Sequence, residues 1–271
     1  HPLILYRNNI LSKRMGFIKN IFVSIESRFK ALFFLRAHHL IVEHEFVKKT
    51  LQKIKFFKQK QILVVHSQVD QIFTTPEKWA PLEIPVNNGK KRLGVISKNY
   101  PHKNLAILPR VKEQLWKNYG FDVDFFVTFS DEEWEAQPDF FKDSITNVGP
   151  LLLSQCPIFY ELMDGIILPT FLECFSAVPI EAMFMKRPLF ISNFDFISVI
   201  CGDNCNYFNP EDAADISRII SNYYAADTDA DLKDRVIKIQ KNYNYVVENF
   251  SGSMRGDAYL NLLIKVYGAN E

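Results

Sequence analysis

The stretch "DGIILPTFLECFSAVPIEAM", residues 164–183, consists of an apolar run, a short turn and a second apolar run. The first run is typical of a buried strand, and the segment SAVPIEAMFMK is typical of a helix. Glu173 lies just before this predicted helix, and Glu181 lies inside it. Strands that pass directly into helices are the repeating unit of an α/β protein with a parallel sheet.

The same alternation continues on both sides of this stretch. The segments KRLGVIS, FDVDFFVTF, SITNVG, DGIILPT and RPLFIS are predicted strands separated by helices. The helix in HKNLAILPRVKEQLWKNYG is expected to pass Pro109 only with a kink. A loop rich in Asp, Asn and Gly is predicted after RPLFIS, followed by the helix EDAADISRIISNYYA and two helices from Asp231 onward. The pattern predicts a doubly wound parallel sheet that binds ligands beyond the carboxyl ends of its strands.

Upstream, a shorter strand-helix-strand unit is predicted: Leu40–Val42, Glu45–Phe57 and Gln61–His66. The segment Gln68–Lys90 has three prolines and no period, which is typical of a linker. The sequence therefore predicts three regions: a partial N-terminal Rossmann-like domain over residues 1–80, a Rossmann-like domain over 81–250, and a C-terminal helix over 251–271 that crosses back.

Charge is distributed unevenly along the 271 residues. Residues 1–60 contain 13 Lys and Arg against 3 Asp and Glu, whereas the whole chain has a net charge of +1. Because Phe, Ile and Leu interleave with these basic residues, contact with a membrane surface is favoured over nucleic acid as the reason for the charge. A soluble helix with a basic outer face remains the alternative. No stretch has the composition of a spanning helix or a signal peptide, so we expect a cytoplasmic protein, peripheral on the inner face of the membrane.

Metal binding and nucleotide-binding loops are not favoured by the motifs present. Asp122 and Asp124 form a D-V-D pattern, which we interpret as acids at the start of a strand. The segment DTDADLKD, residues 227–234, lacks the Gly and Glu of a calcium loop and is better explained by helix capping. Cys201 and Cys205 lack further ligands for zinc, and reduced thiols are expected. Neither G-x-x-x-x-G-K-[ST] nor G-x-G-x-x-G occurs.

The segment "SKNYPHKN", residues 97–104, directly follows a predicted buried strand. Lys98 and Lys103 are therefore expected near the carboxyl end of that strand, where a doubly wound sheet binds anionic ligands. A surface turn with two solvated lysines is the alternative when this motif is taken alone.

The order of four segments is similar to the C-terminal domain of family-4 glycosyltransferases, the retaining enzymes of the GT-B fold. These segments are SKNYPHKNL, NVGPL, FYELMDGIILPTFLECFSAVPIEAM and ISNFDFISVICGDNCNYFNPEDAADI. The resemblance extends from about residue 90 to about residue 268, and its most specific part is the Glu-x7-Glu signature followed by Ala-Met. Upstream, RAHHLIVEHEFVKKTL and KQILVVHSQVD look like the last strand-helix-strand unit of that family's N-terminal domain.

The resemblance implies a donor site for a nucleotide-diphosphate sugar. Lys98 and Lys103 would face the diphosphate, Glu173 the sugar and Glu181 the ribose. The turn formed by Cys174, Phe175, Ser176 and Ala177 would offer backbone amides to the sugar and phosphate, and Val148, Gly149 and Pro150 would line the base. Phosphate at a helix N-terminus gains from the helix dipole, and lysines offset its charge, so no metal or other cofactor is expected.

The resemblance further implies retaining transfer of a sugar to a hydroxyl group of a saccharide or lipid-linked acceptor, in polysaccharide or glycolipid biosynthesis. Two departures concern the turn: Cys174 and Ser176 stand where the family often has glycines. His1 is the candidate for the histidine that the family's N-terminal domain brings to the donor sugar. Two alternatives stay open, namely a nucleotide-sugar-binding or partner-dependent subunit without turnover, and a nucleotide-sugar epimerase on the same fold.

Overall fold

The computed structural model describes residue 5 and residues 17–225, 228–250 and 252–267 of the chain. Eight strands lie within these ranges: β1 His39–Val42, β2 Gln61–Val64, β3 Lys91–Gly94, β4 Val123–Val127, β5 Ile145–Asn147, β6 Gly165–Leu168, β7 Leu189–Ser192 and β8 Asn206–Phe208.

Eleven α-helices lie in the same part of the chain: α1 Phe17–Arg36, α2 Glu45–Gln52, α3 Leu108–Tyr119, α4 Asp131–Glu135, α5 Asp139–Lys142, α6 Cys156–Leu162, α7 Ala177–Phe184, α8 Asp195–Cys201, α9 Ala213–Ala225, α10 Asp229–Asn249 and α11 Gly252–Tyr267. Within the described ranges, no helix is both long enough and apolar enough to span a membrane.

The main sheet has six parallel strands in the order β5-β4-β3-β6-β7-β8. The first strand of this sheet, β3, is therefore central, and β4 and β5 are added on one side of it. The chain then returns to place β6 on the other side of β3, where Leu93 pairs with Gly165. This is the doubly wound order predicted from the sequence. The cleft between the carboxyl ends of β3 and β6 is the switch point at which such sheets bind their ligands.

The strands of the main sheet are buried because helices cover the sheet. All four residues of β6 and of β7 are buried, which explains their continuous apolar sequence. Helix α9 packs on α3, where the Ser217 hydroxyl donates to the carbonyl of Val111 at 3.0 Å, and α10 packs on α7. The apolar core of the chain is centred on this sheet.

The N-terminal part is a smaller parallel unit. β1 and β2 pair in parallel, with His39 opposite Gln61, and α2 connects them as predicted. A separate buried cluster of Ala31, Leu40, Phe57 and Ile62 stabilises this unit. The α/β fold class, with a Rossmann-like main domain and a partial Rossmann-like N-terminal unit, is confirmed.

Two helix predictions were wrong in their extent. The chain around Pro109 is not one kinked helix, because Asn104 adopts the left-handed conformation (φ 56°) and separates a 3-10 turn, Pro101–Lys103, from a second one, Leu105–Ile107, that leads directly into α3. Helix α3 begins at Leu108, so Pro109 lies in its first turn, where its missing N–H has no helical partner to lose. Helix α2 ends at Gln52, and a separate 3-10 turn, Lys55–Phe57, follows it.

The loop predicted after β7 contains helix α8 and strand β8. Buried residues in α8 include Phe196, Ile197, Ile200 and Cys201, a helical spacing that the nearby Asp, Asn and Gly obscured. The segment Gln68–Lys90, predicted as a linker, also packs on the core.

Two residues of that segment, Val69 and Phe73, are buried. The N–H of Val69 donates to the carbonyl of Phe250 at 3.0 Å, which joins the segment to the end of α10. At the start of α10, the Thr228 side chain accepts from the N–H of Asp231, as expected for a capped helix rather than a calcium loop.

Candidate functional site

Two loops meet at the switch point of the main sheet. One follows β3 and contains Lys103, and the other follows β6 and contains Glu173. The carbonyl of His102 accepts from the N–H of Phe171 at 2.7 Å and from the Thr170 hydroxyl at 3.0 Å. These bonds join the loops although they lie about 70 residues apart in the chain.

Lys103 and Glu173 form a salt bridge within this junction, with the ammonium Nζ donating to carboxylate Oε1. Their side chains are only 15% and 10% exposed, so both charges have lost most of their contact with water. Burial raises the pKa of Glu173, although the Lys103 charge and the hydrogen bonds from Lys103 and Thr170 act in the opposite direction. The pair is therefore a partly desolvated cation and anion at the position where the fold binds ligands.

The left-handed residue next to Lys103 fixes the direction of its loop. Asn104 has φ 56°, a conformation that Asn tolerates better than most residues, and its amide donates to the carbonyl of Pro210 at 2.8 Å. His102 stacks on Tyr100, with ring centroids 5.4 Å apart. Burial, together with the nearby Lys103 charge, lowers the pKa of His102 to about 4, so its ring is neutral at pH 7.

The turn from Cys174 to Ala177 leads into helix α7. Ser176 is the N-cap residue, with an extended backbone (φ −126°, ψ 133°), and its side chain makes no capping hydrogen bond. Pro179 occupies the third helical position and carries no N–H. The free N–H groups and the helix dipole make this helix start suitable for an anion, as the sequence predicts.

Glu181 lies one turn inside α7. Its Oε2 accepts a hydrogen bond from the hydroxyl of Tyr160 at 2.8 Å, and Tyr160 is fully buried on α6. Burial raises the pKa of Glu181, while the Tyr160 bond opposes this shift. Burial also raises the pKa of Tyr160, so the phenol stays protonated and remains the donor of this bond.

Lys98 is exposed and precedes Lys103 in the loop after β3, and the ion pair of Glu173 is with Lys103 rather than with Lys98. The loop around Lys98 is held by Glu133, whose Oε1 accepts from the N–H of Asn99 at 3.0 Å. Its other oxygen accepts from the N–H of Ser130 in a capping box at the start of α4.

Val148, Gly149 and Pro150 follow β5 at the outer side of the sheet. The N–H of Val148 donates to the carbonyl of Val127 at 2.9 Å, and Gly149 has φ 77°, which favours glycine. Strand β4 separates β5 from β3, so these residues lie farther along the same edge than Lys103. An elongated ligand, rather than a small anion, would reach both groups.

Thr170, His102, Tyr160 and Glu133 support the site and were not predicted from the sequence. Only Thr170 had a local signal, since it is a hydroxyl residue directly after the β6 strand. The D-V-D carboxylates lie at the start of β4 and form ion pairs with Lys90. Lys90 lies 2.8 Å from the Asp122 carboxylate and 3.9 Å from that of Asp124.

Among the described residues there is no group of three or more His, Cys, Asp and Glu side chains that could hold a metal ion. His1 lies outside the described residues.

A cavity of about 340 Å³ adjoins the site on the N-terminal side. It is lined by residues of β1, α2 and α11 and reaches Cys174, the residue after Glu173. Burial raises the pKa of the Cys174 thiol, and the nearby charges of Glu173 and of Glu43, which follows β1, act in the same direction. The N-terminal unit therefore borders the turn that leads into α7.

No protein-family model matches the sequence, and no curated protein matches it significantly. Solved structures do match its fold, at sequence identities that support conclusions about the fold alone. TarM of S. aureus, determined as a mutant in complex with UDP, α-GlcNAc-glycerol and fondaparinux, aligns with a TM-score of 0.62 and 18% identity over 84% of this chain.

Two synthases align over more of the chain. The sucrose-phosphate synthase of Thermosynechococcus elongatus aligns with a TM-score of 0.72 and 14% identity. The alignment covers 99% of this chain and 66% of the synthase. The UDP-forming α,α-trehalose-phosphate synthase of Burkholderia vietnamiensis aligns with a TM-score of 0.69 and 12% identity. This alignment covers 93% of this chain and 64% of the synthase. The chain spans only 44% of TarM. The fold is thus that of GT-B glycosyltransferases.

Proposed function

We propose that this chain binds a nucleotide-diphosphate sugar and transfers the sugar, with retention of configuration, to a hydroxyl group of an acceptor. The observation that carries the proposal is the buried Lys103–Glu173 pair at the switch point between β3 and β6. A cation there suits a diphosphate, and a carboxylate suits sugar hydroxyls. The likeness to solved glycosyltransferases supports the fold on which such a site is built.

In the proposed arrangement, the diphosphate lies against the free N–H groups at the start of α7. Lys103 and the exposed Lys98 offset its charge, and Glu181 accepts a hydrogen bond from a ribose hydroxyl. The bond between the anomeric carbon and the phosphate oxygen breaks while the acceptor oxygen bonds to that carbon on the same face. The acceptor proton passes to the departing phosphate, so no side chain of this site serves as a nucleophile.

Turnover of a panel of UDP-, GDP- and ADP-sugars tests this proposal, with nucleoside-diphosphate release as the readout. We expect one donor class to be consumed and Glu173→Gln to lose at least 100-fold in turnover, an order of magnitude typical of a lost transition-state contact. The matched control is Glu135→Gln, because Glu135 also pairs with a lysine, Lys142, but is 77% exposed. NMR of the product would show whether the anomeric configuration is retained.

Two results would contradict the proposal. Donor binding without turnover would favour a nucleotide-sugar-binding subunit, and release of a nucleotide sugar with altered stereochemistry would favour an epimerase. Equal losses in Glu173→Gln and Glu135→Gln would remove Glu173 from the site.

We propose further that the protein acts at the cytoplasmic face of a membrane, in polysaccharide or glycolipid assembly. Helix α1 exposes large apolar side chains, including Phe22, Phe29 and Phe33 at 67%, 61% and 70%, within a strongly basic part of the sequence. Such a helix gains both from burial of apolar groups and from attraction to anionic lipids. Sedimentation with anionic vesicles but not with neutral vesicles is the expected result, and equal sedimentation with both would contradict it.

A further inference from the structure

The cavity beside Cys174 has a composition unlike that of a sugar-binding cleft. Among the described residues that line it, eight of twelve have hydrocarbon side chains. They come from several elements of the N-terminal unit, such as Leu40 in β1, Val47 in α2 and Phe34 in α1. Carbohydrate hydroxyls placed against this lining would lose hydrogen bonds to water without replacement, whereas hydrocarbon would gain. The lining therefore favours an apolar ligand.

The polar residues of the cavity include two that border the candidate donor site. Cys174 directly follows Glu173, and Glu43, which follows β1, lines the same cavity as Cys174. A ligand that fills the apolar part and extends to this end would bring its terminal group to the turn before α7.

We infer that the cavity binds the apolar part of the acceptor, and that the acceptor is an amphiphile whose hydroxyl-bearing end lies at the turn containing Cys174. This inference rests on the proposed function, because it takes Glu173 as part of the donor site. The cavity volume of about 340 Å³ lies at the lower end of the range typical of small-molecule sites, which is about 300–1,000 Å³. A short alkyl chain or an aromatic group fits this space, and a longer chain would extend out of it.

Ile41 is the position best suited to test the inference. It lines the cavity from β1 and is nevertheless 44% exposed, so an introduced carboxylate retains contact with water and the fold is expected to tolerate it. Ile237 on α10 is a matched control, because it is 52% exposed and does not line the cavity. The same substitution at both positions separates a cavity effect from a general effect of added charge.

The experiment measures binding of n-octyl β-D-glucopyranoside, below its micelle-forming concentration, by titration calorimetry. Methyl β-D-glucopyranoside is the control probe, because it has the same head group without the alkyl chain. We expect the octyl compound to bind at least 10-fold more tightly than the methyl compound, and Ile41→Asp to weaken octyl binding at least 10-fold. Ile237→Asp should bind like the unsubstituted protein, and both variants should bind the nucleoside diphosphate of the preferred donor unchanged.

The outcomes distinguish this inference from the proposed function. Equal binding of the two glucosides overturns the inference, and so does an equal loss of octyl glucoside binding in Ile41→Asp and Ile237→Asp. In either case, binding of the nucleoside diphosphate would still support the donor site. Octyl binding without binding of UDP, GDP or ADP overturns the proposed function and leaves an apolar site unrelated to sugar transfer. Octyl binding that Ile41→Asp leaves intact places the alkyl chain elsewhere, for example on α1, and also overturns the inference.

Discussion

Removal of both members of the Lys103–Glu173 pair should cost no more stability than removal of either one alone. Each single substitution, Lys103→Met or Glu173→Gln, leaves the opposite group in a site where its side chain is at most 15% exposed. The double variant leaves no stranded charge. A double-mutant cycle therefore measures the coupling of the two charges.

The magnitude follows from the burial of the pair. Breaking a fully buried salt bridge typically costs about 3–5 kcal/mol, and the residual exposure of both side chains reduces this to about 2 kcal/mol for each single variant. The double variant should cost about 2 kcal/mol as well, so the coupling energy is about 2 kcal/mol. Burial raises the pKa of Glu173 despite the lysine, which indicates that desolvation offsets much of the attraction.

Urea unfolding at pH 7, followed by circular dichroism, gives the four free energies of the cycle. The Lys142–Glu135 pair is a matched control with a longer contact, 3.0 Å, and a glutamate side chain that is 77% exposed. Its coupling energy should be below about 0.5 kcal/mol, as for other exposed pairs. Additive effects at Lys103 and Glu173, within about 0.5 kcal/mol, would refute the reasoning.

Three further substitutions test other parts of the structure. Gly94→Ala should destabilise the protein by about 1–3 kcal/mol in urea unfolding, because the new Cβ would lie 2.7 Å from buried side chains. Gly256→Ala, in open space on α11, should be neutral or stabilising, and a similar loss in both would contradict this account. The pKa of His102 is lowered to about 4, so the unfolded state binds its proton first as the pH falls from about 6.5 to about 4. Over that pH range the free energy of unfolding should fall by about 1 kcal/mol more in the unsubstituted protein than in His102→Gln. This is less than the full linkage value because the ring is partly exposed. A difference between the two proteins that does not change with pH would contradict this account. Tyr160→Phe removes the 2.8 Å bond to Glu181 and should raise the Glu181 pKa further, which NMR titration of the carboxyl group measures; an unchanged or lower pKa would show that the bond is unimportant.

Much of the fold could be predicted because the central strands have simple sequences. The runs around Ile166 and Phe190 are continuously apolar, as expected for strands covered on both faces. Those around Leu93 and Phe125 are interrupted only by Lys91, Arg92 and Asp124, and all four runs were predicted as strands. Helix α8 was missed because it has only seven residues and turn-forming residues flank it, including the Gly-Asp-Asn sequence that follows Cys201. A short helix next to turn residues carries too few periods to be recognised.

The site was predictable in its parts but not in its contacts. Lys103 and Glu173 were expected at one ligand because the resemblance to family-4 glycosyltransferases implies it, and both follow strands of a parallel sheet, whose carboxyl ends share an edge. Their direct salt bridge depends on the order of strands, which puts β3 beside β6, and on the bonds from Thr170 and Phe171 to the carbonyl of His102. Contacts between residues 70 positions apart leave no local signal in one sequence.

The salt bridge also explains how the site can hold buried charges before a ligand arrives. A lysine or a glutamate alone in this cleft would be a largely buried charge without a partner, which is costly. Because Lys103 and Glu173 are paired, the site stays close to neutral. Under the proposed function, the lysine is then available for phosphate and the glutamate for hydroxyls. A nucleotide-diphosphate sugar offers both partners together, so it could replace the internal salt bridge without leaving either group unpaired. A nucleoside diphosphate offers no sugar hydroxyl to Glu173, and an isolated sugar offers no anion to Lys103. The pair therefore favours the whole donor over either of its parts.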